Sequence, residues 1–413
     1  MVENTYQLGI GSVEITPQIG VPLVGGVAPY PSDGIATRLW VKAMAIGDGV
    51  KTVLLVTVDN LKYPPSEEAV AALAEVTGLP KADIWITASH AHSCPYYLDY
   101  GNELLEAMTT ASARALADRT PCKLYTAKGT LPDLTGNRRV MKNGQCVNIW
   151  LLPKDERALW PASGWPTAGE CDQDVLTLAA EDEAGKYKAL LFNFACHACT
   201  SGATPTLISA DYPGFTREYL DATLGYETQT LFWPGACGDI NARCDSQTLG
   251  EALAGVIAKS LQEKQPVTGP LQTLTRHILL KDRETAAFQE ESVTALWESS
   301  LEHFRESFQE AQEARQSHYP AQLSALAIGD VLVMGVPGEL FAEIGLDMKR
   351  AFPDRFLMVA EQTNGAIGYI PTEKAFRQGG YECLYGEHSV VAEDAGRILY
   401  EESIAMLKQL AQM

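Results

Sequence analysis

The strongest constraint on the fold is a pair of short apolar runs that each end in polar, chemistry-bearing residues. Thr52 to Val58 (TVLLVTV) is β-branched and continuous, stops at Asp59, and reads as a strand buried on both faces. Ile84 to Ala88 (IWITA) is a second such strand, followed by Ser89-His90-Ala91-His92. Between them Ser66 to Val76 has helical spacing, entered after Pro64-Pro65 and closed by Gly78 and Pro80. Another helix is expected over Glu103 to Ala117. This alternation predicts an α/β chain, a mixed sheet core covered by helices.

The pattern continues with gaps. Leu190 to Ala195 reads as a strand ending in Cys196-His197. Thr228 to Trp233 is another, ending in Pro234-Gly235-Ala236-Cys237-Gly238-Asp239. Thr248 to Gln262, Glu339 to Arg350 and Asp394 to Gln409 look helical. Glu284 to Gln316 carries an apolar stripe (Phe288, Val293, Trp297, Leu301, Phe304, Phe308) that fits a long helix or helical pair. Leu323 to Val336 reads as a hairpin turning at Gly-Asp. Cys122 to Ala180 is rich in Pro, Gly and Trp and reads as loops around short strands. No internal repeat, low-complexity tract or linker is visible. At about 150 residues per domain, 413 residues could make two or three domains, but one catalytic unit over 1–413 is favoured.

Composition narrows the class. With 52 acidic and 32 basic side chains the net charge is −20, which disfavours nucleic acid and anionic membrane as partners, because both recruit clustered Lys and Arg. The 46% hydrophobic content and 20% charged content are those of a chain that folds around a core. The N-terminal segment lacks a basic stretch followed by an apolar run, and no span of about 18 apolar residues occurs. Nine cysteines, an odd number, suit a reducing compartment. The expectation is a cytoplasmic protein that meets a small-molecule substrate. The Glu284 to Gln316 segment offers either a homo-oligomer interface or a solvated cover.

Three of the seven histidines, His90, His92 and His197, stand at the ends of predicted buried strands, where open α/β sheets bind ligands. On extended backbone an H-x-H pair directs both rings to one side, which suits a metal, although hydrogen-bonded strand-end histidines would look the same. Cys196 and Cys199 form a C-x-x-C that reads mainly as small buried residues, with redox or zinc ligation as the alternative. Glu339 falls just after a predicted strand, on the first turn of a predicted helix. There is no phosphate-binding G-x-x-x-x-G-K-[ST] and no G-x-S-x-G elbow.

Taken in order, these segments resemble the neutral (non-lysosomal) ceramidase family, in its N-terminal catalytic domain. The resemblance is carried by Gly11 to Gly26 (GSVEITPQIGVPLVGG), Ser89-His90-Ala91-His92-Ser93, Gly136-Asn137-Arg138-Arg139 and Asn193-Phe194-Ala195-Cys196-His197. Gly238-Asp239-Ile240-Asn241, Pro337-Gly338-Glu339 and Asn364 to Glu382 complete it. It implies a zinc ion, one per chain, held by His90, His197, Glu339 and Tyr369, with His92, Arg138 and Tyr381 lining the reacting centre. It also implies roles for Asp239, in orienting these groups, and for Asn241, which with Arg138 would face an oxyanion. Asn241 stands where that family carries its nucleophilic serine, and the chain ends soon after Tyr381, so the immunoglobulin-like C-terminal domain is expected to be missing. Together these features point to a zinc-dependent hydrolase in which water attacks an amide, ester or lactone carbonyl of a small polar substrate. The alternatives are a metal-dependent lyase or isomerase of a sugar acid, and a metal-dependent binding protein without turnover.

Overall fold

The computed structural model describes residues 6–24, 30–152, 154–157, 164–200, 206–224, 229–284, 288, 301–386 and 388–412. Its largest sheet contains β1 (Tyr6–Glu14), β2 (Trp40–Gly47), β3 (Thr52–Val58), β4 (Ile84–Ala88), β5 (Thr120–Thr130), β6 (Asp174–Glu181), β7 (Tyr187–Phe194) and β8 (Gln229–Pro234). Their spatial order is β8-β7-β6-β5-β1-β2-β3-β4, and the short strand Gln265–Val267 pairs with β5. A second sheet holds β9 (Leu271–Lys281), β10 (His318–Ile328), β11 (Val331–Gly335) and β12 (Phe356–Ala360), in that order. Among the described residues the longer helices are α1 (Ser66–Thr77), α2 (Tyr97–Ala117), α3 (Asp211–Leu224), α4 (Ser246–Ser260), α5 (Leu301–Glu313), α6 (Ala342–Arg350) and α7 (Ala395–Gln412).

One connectivity recurs three times. In the first unit β1, β2 and β3 pair antiparallel, α1 crosses over, β4 returns parallel to β3, and α2 follows. The second unit repeats this with β5, β6, β7, α3, β8 and α4. The third repeats it with β9, β10, β11, α6, β12 and α7. Each unit carries a long insertion between its first and second strands, α5 lies in the third of these, and the third unit has another between β12 and α7. The repeat is one of topology. It escapes the sequence because strands buried on two faces share only a generic apolar pattern.

That two-sided burial is visible residue by residue. Val53 and Leu55 of β3, Leu191 of β7, and Val331 and Val333 of β11 face one cluster to which all three units contribute, with Trp85 and Trp233 stacked at 6.1 Å inside it. Leu54 and Val56 face α1 and α2 instead; Leu190 and Phe192 face α3 and α4; Leu332 and Met334 face α6 and α7. Because side chains alternate along a strand, each unit closes a private core under its own helices and gives its other face to the common core.

Several expectations are corrected. Cys122 to Ala180 begins and ends in the long strands β5 and β6, with the expected short strands, Thr135–Asn137, Arg139–Lys142 and Gln145–Asn148, between them; alternating Lys, Thr and Tyr along β5 broke the apolar run that marks a strand. Helix α2 begins at Tyr97, not Glu103, with non-helical dihedrals at Tyr100. Glu339 is not on a helix: Glu339–Leu340 forms a parallel ladder with Tyr369–Ile370, and α6 starts at Ala342. Of the helix expected over Glu284 to Gln316, α5 is observed, while Val293 and Trp297 lie outside the described residues.

Candidate metal centre

The C-terminal ends of the third and fourth strands of all three units meet at one place. His90 follows β4, His197 follows β7 and Glu339 follows β11. Their ligand atoms lie within 4.8 Å of one another, and all three residues are buried. His197 Nε2 is 3.1 Å from Glu339 Oε2, and His90 Nε2 is 3.4 Å from the same oxygen. A tetrahedral ion with bonds of about 2.0–2.1 Å would hold neighbouring donors roughly 3.3 Å apart.

The outer nitrogens explain why these atoms face inward. His197 Nδ1 lies 2.7 Å from the carbonyl oxygen of Cys237, and His90 Nδ1 lies 3.2 Å from that of Leu61. A carbonyl only accepts, so each Nδ1 carries the proton, and a neutral ring then turns an Nε2 lone pair toward Glu339. Burial, and next the charge of Arg138, lower His197 to about 4, so it is neutral at physiological pH. Glu339 is buried beside them, and with the protons on Nδ1 neither ring donates to its carboxylate. A lone pair and a carboxylate oxygen 3.1 Å apart repel each other, and a cation between them removes the conflict. The donor set therefore fits a divalent metal.

The backbone reaches this arrangement at some cost. His90 has φ of +59°, a left-handed conformation that is strained by about 1–3 kcal/mol for a non-glycine residue. The expected H-x-H alternation on extended backbone is therefore not what pairs the rings. The strand ends at Ala88, and the turn at His90 brings His92 edge-on to His90 at 5.1 Å. His92 N donates to Ala198 O at 3.0 Å, tying the first unit's loop to the second's. Gly238 supports the close approach of the second and third units: its N–H donates to Leu340 O, and a Cβ there would lie 2.5 Å from Glu339 O.

Around the triad stand the other expected residues. Tyr369 is the register partner of Glu339, and its ring lies 6.2 Å from that of His197. Its hydroxyl accepts from Arg138 Nη2 at 2.9 Å. Burial holds this phenol well above 10, with Arg138 pulling it down and Glu339 pushing it up, so ionising it requires a further cation. His92 Nε2 is buried and has no hydrogen-bond partner among the described residues. Burial, and then the neighbouring His90 and His197, place its pKa well below 6.5. Tyr381 meets Tyr369 edge-on at 6.0 Å, and its hydroxyl lies 3.4 Å from His388 Nδ1.

Arg138 is the hub. Its guanidinium donates to Glu382 Oε1 (2.7 Å), Asn241 Oδ1 (3.0 Å), Gly238 O (2.9 Å) and Tyr369 (2.9 Å). Asn241 is committed on both sides, since its Nδ2 donates to Cys199 Sγ at 3.5 Å. Asp239 lies behind the centre: one oxygen accepts from Asn137 at 2.5 Å and the other from Ala342 N, the first N–H of α6, at 2.9 Å. Burial raises Asp239 to about 6. Cys196 and Cys199 are both free thiols.

Sequence reasoning missed Glu382 and His388. Glu382 is fully buried and binds both Arg138 and Arg139, at 2.7 and 3.0 Å, while Asn148 Nδ2 donates to it at 3.1 Å. A carboxylate beside Tyr381 in a glycine-rich segment has no local sign of burial. The signal that could have found it is the Arg138-Arg139 pair, since two adjacent buried guanidiniums require an anion.

No protein-family model matches the chain. Among solved structures it is similar to a ceramidase complexed with C2, with a TM-score of 0.75 and 15% identity, covering 99% of this chain and 75% of that one. It is likewise similar to the neutral ceramidase from Pseudomonas aeruginosa, with a TM-score of 0.76, 15% identity and the same coverage. The likeness is one of fold, a mixed sheet core with covering helices that extends over essentially the whole chain.

Proposed function

We propose that this ceramidase-like fold holds a divalent cation, zinc by its donor set, on His90, His197, Glu339 and Tyr369, and hydrolyses an amide, ester or lactone carbonyl of a small molecule. The observation that carries the reading is the convergence of two Nε2 lone pairs and one carboxylate oxygen, from three different units, with no proton donor between them. A bound cation would polarise the scissile carbonyl and bring the pKa of water toward neutrality.

The chain's own residues supply the rest. His92 is neutral and its Nε2 is uncommitted, so it takes a proton from the attacking water and returns it to the leaving group. Arg138 presents a permanent positive charge, held rigid by four hydrogen bonds, to the oxygen that becomes negative. Asn241 contributes by fixing Arg138, and no serine stands at its position, so water attacks directly without a covalent acyl intermediate. Asp239 braces the start of α6 and the Asn137–Arg138 segment. The acidic chain, with no described helix long and apolar enough to cross a membrane, fits a cytoplasmic enzyme whose polar substrate is met in solution.

Metal analysis of the purified protein is expected to find one divalent ion per chain, and His197→Ala is expected to lose both the ion and more than about a hundredfold in kcat/KM. Hydrolysis of a panel of polar and long-chain amides, esters and lactones in ¹⁸O-water places label in the product acid. Turnover without label would instead indicate the lyase or isomerase reading, and a parent protein free of stoichiometric metal would sink the proposal.

A further inference from the structure

Both histidines of the triad are braced from the third unit by two consecutive residues that follow β12. Glu361 is fully buried. Its Oε2 accepts from Cys237 N at 3.0 Å, and the Cys237 thiol donates to its Oε1 at 3.1 Å. The carbonyl of that same Cys237 receives the Nδ1–H of His197 at 2.7 Å. Glu361 thus grips the residue whose carbonyl selects the His197 tautomer. Its own N–H donates to Pro234 O at 3.1 Å, which fastens it to the end of β8.

The neighbouring Gln362 reaches the other ring. It is 1% exposed, and its side-chain Nε2 lies 3.4 Å from His90 Nδ1. The two ends of a glutamine amide exchange places by a half-turn. With the oxygen toward the ring, the Gln362 Oε1, which otherwise has no partner, accepts from the Nδ1–H that already faces Leu61 O. Gln362 has φ of +52°, so the chain adopts a left-handed conformation at this point too. Its backbone is pinned on both sides: Ala88 N donates to its carbonyl, and its N–H donates to Gly338 O, both at 3.3 Å.

We infer that Glu361 and Gln362 are positioning residues, a single clamp that sets both imidazoles in the Nδ1–H form with Nε2 free for the cation. The inference rests on the metal reading above and adds to it the groups that fix the ligands' protonation pattern. Outer partners of metal-binding histidines orient the ring and raise its basicity. Here one dipeptide serves two histidines from two other units, so the third unit supplies Glu339 and also prepares the ligands it meets.

The test has two parts. Histidine ¹⁵N NMR of the metal-free parent protein is expected to show Nδ1–H at both His90 and His197, and an Nε2–H form at either ring overturns the clamp. Zinc affinity, by competition with a chromophoric chelator, is expected to fall about ten- to a hundredfold in Glu361→Leu and in Gln362→Leu. Glu361→Gln and Gln362→Glu keep an acceptor oxygen at each position and are expected to retain the parent affinity. Leucine variants that are folded by circular dichroism and bind zinc like the parent contradict the inference. If they do not fold, a loss of affinity in the conservative pair contradicts it instead. Neither readout depends on turnover, so a parent that binds zinc but hydrolyses nothing damages the functional proposal and leaves the clamp standing. A parent that binds no divalent ion sinks the metal reading, and the tautomer spectrum still decides the clamp.

Discussion

Buried charge in this protein follows one rule at the scale of single residues: a group removed from water keeps its charge only where a partner is supplied. Arg138 and Arg139 meet Glu382, and Arg217 meets Asp59 at 2.6 Å. Lys42 on β2 is the informative exception. It is only 8% exposed, and burial, followed by the nearby Arg217, lowers its pKa from 10.5 to about 7. Between pH 7 and 10.5 the unfolded chain binds a proton there that the folded chain does not. The stability Lys42 contributes is therefore present at high pH and lost as the pH falls toward 7. Lys42→Met is expected to remove this slope, so that urea denaturation finds the variant more stable than the parent at pH 7, with the gap closing toward pH 10. An equal gap at both pH values would contradict the assignment.

Elements are positioned by how closely their backbones approach. Helix α2 lies directly on β1 because Gly9 and Gly11 face it: a Cβ at either would sit 1.9 Å from the carbonyl oxygen of Ala115 or Ala111. Gly11→Val is expected to push the helix off the strand and cost about 1–3 kcal/mol of stability, read as a lower denaturant midpoint. The hairpin over Leu323 to Val336 was legible because Gly329-Asp330 sits between two apolar runs, and β10 and β11 pair from Ile328–Val331 outward. β3 and β4 were legible for the same reason, their apolar stretches being uninterrupted. The Glu339 ladder was not, because its partner, Tyr369, is brought to it by the fold and not by any local pattern.

At the scale of the whole molecule, the shared core makes the three units interdependent. Trp85 of the first and Trp233 of the second stack against each other and pack with Val331, Val333 and Met358 of the third. The chain is expected to unfold as one cooperative unit, with urea curves followed by tryptophan fluorescence and by far-UV circular dichroism superimposing. Separate transitions would show that the units stand alone and would overturn the reading of 1–413 as one domain. Cooperativity matters to the site as well, since each unit supplies one member of the triad and a unit that opened would remove a ligand.

From the sequence alone came the strands that end in His90 and His197, most of the helices, and the set of residues worth watching. Those properties are local: burial on two faces gives apolar runs, and turns and caps have their own residue chemistry. The tertiary structure alone decided which atoms meet. It placed His90, His197 and Glu339 around one point, set Asp239 behind the centre as a brace, and brought Glu382 to Arg138 and the Glu361–Gln362 pair to the two rings. These contacts join residues far apart in the chain, and they follow from three similar units closing on a common core, a relation that no single stretch of sequence contains.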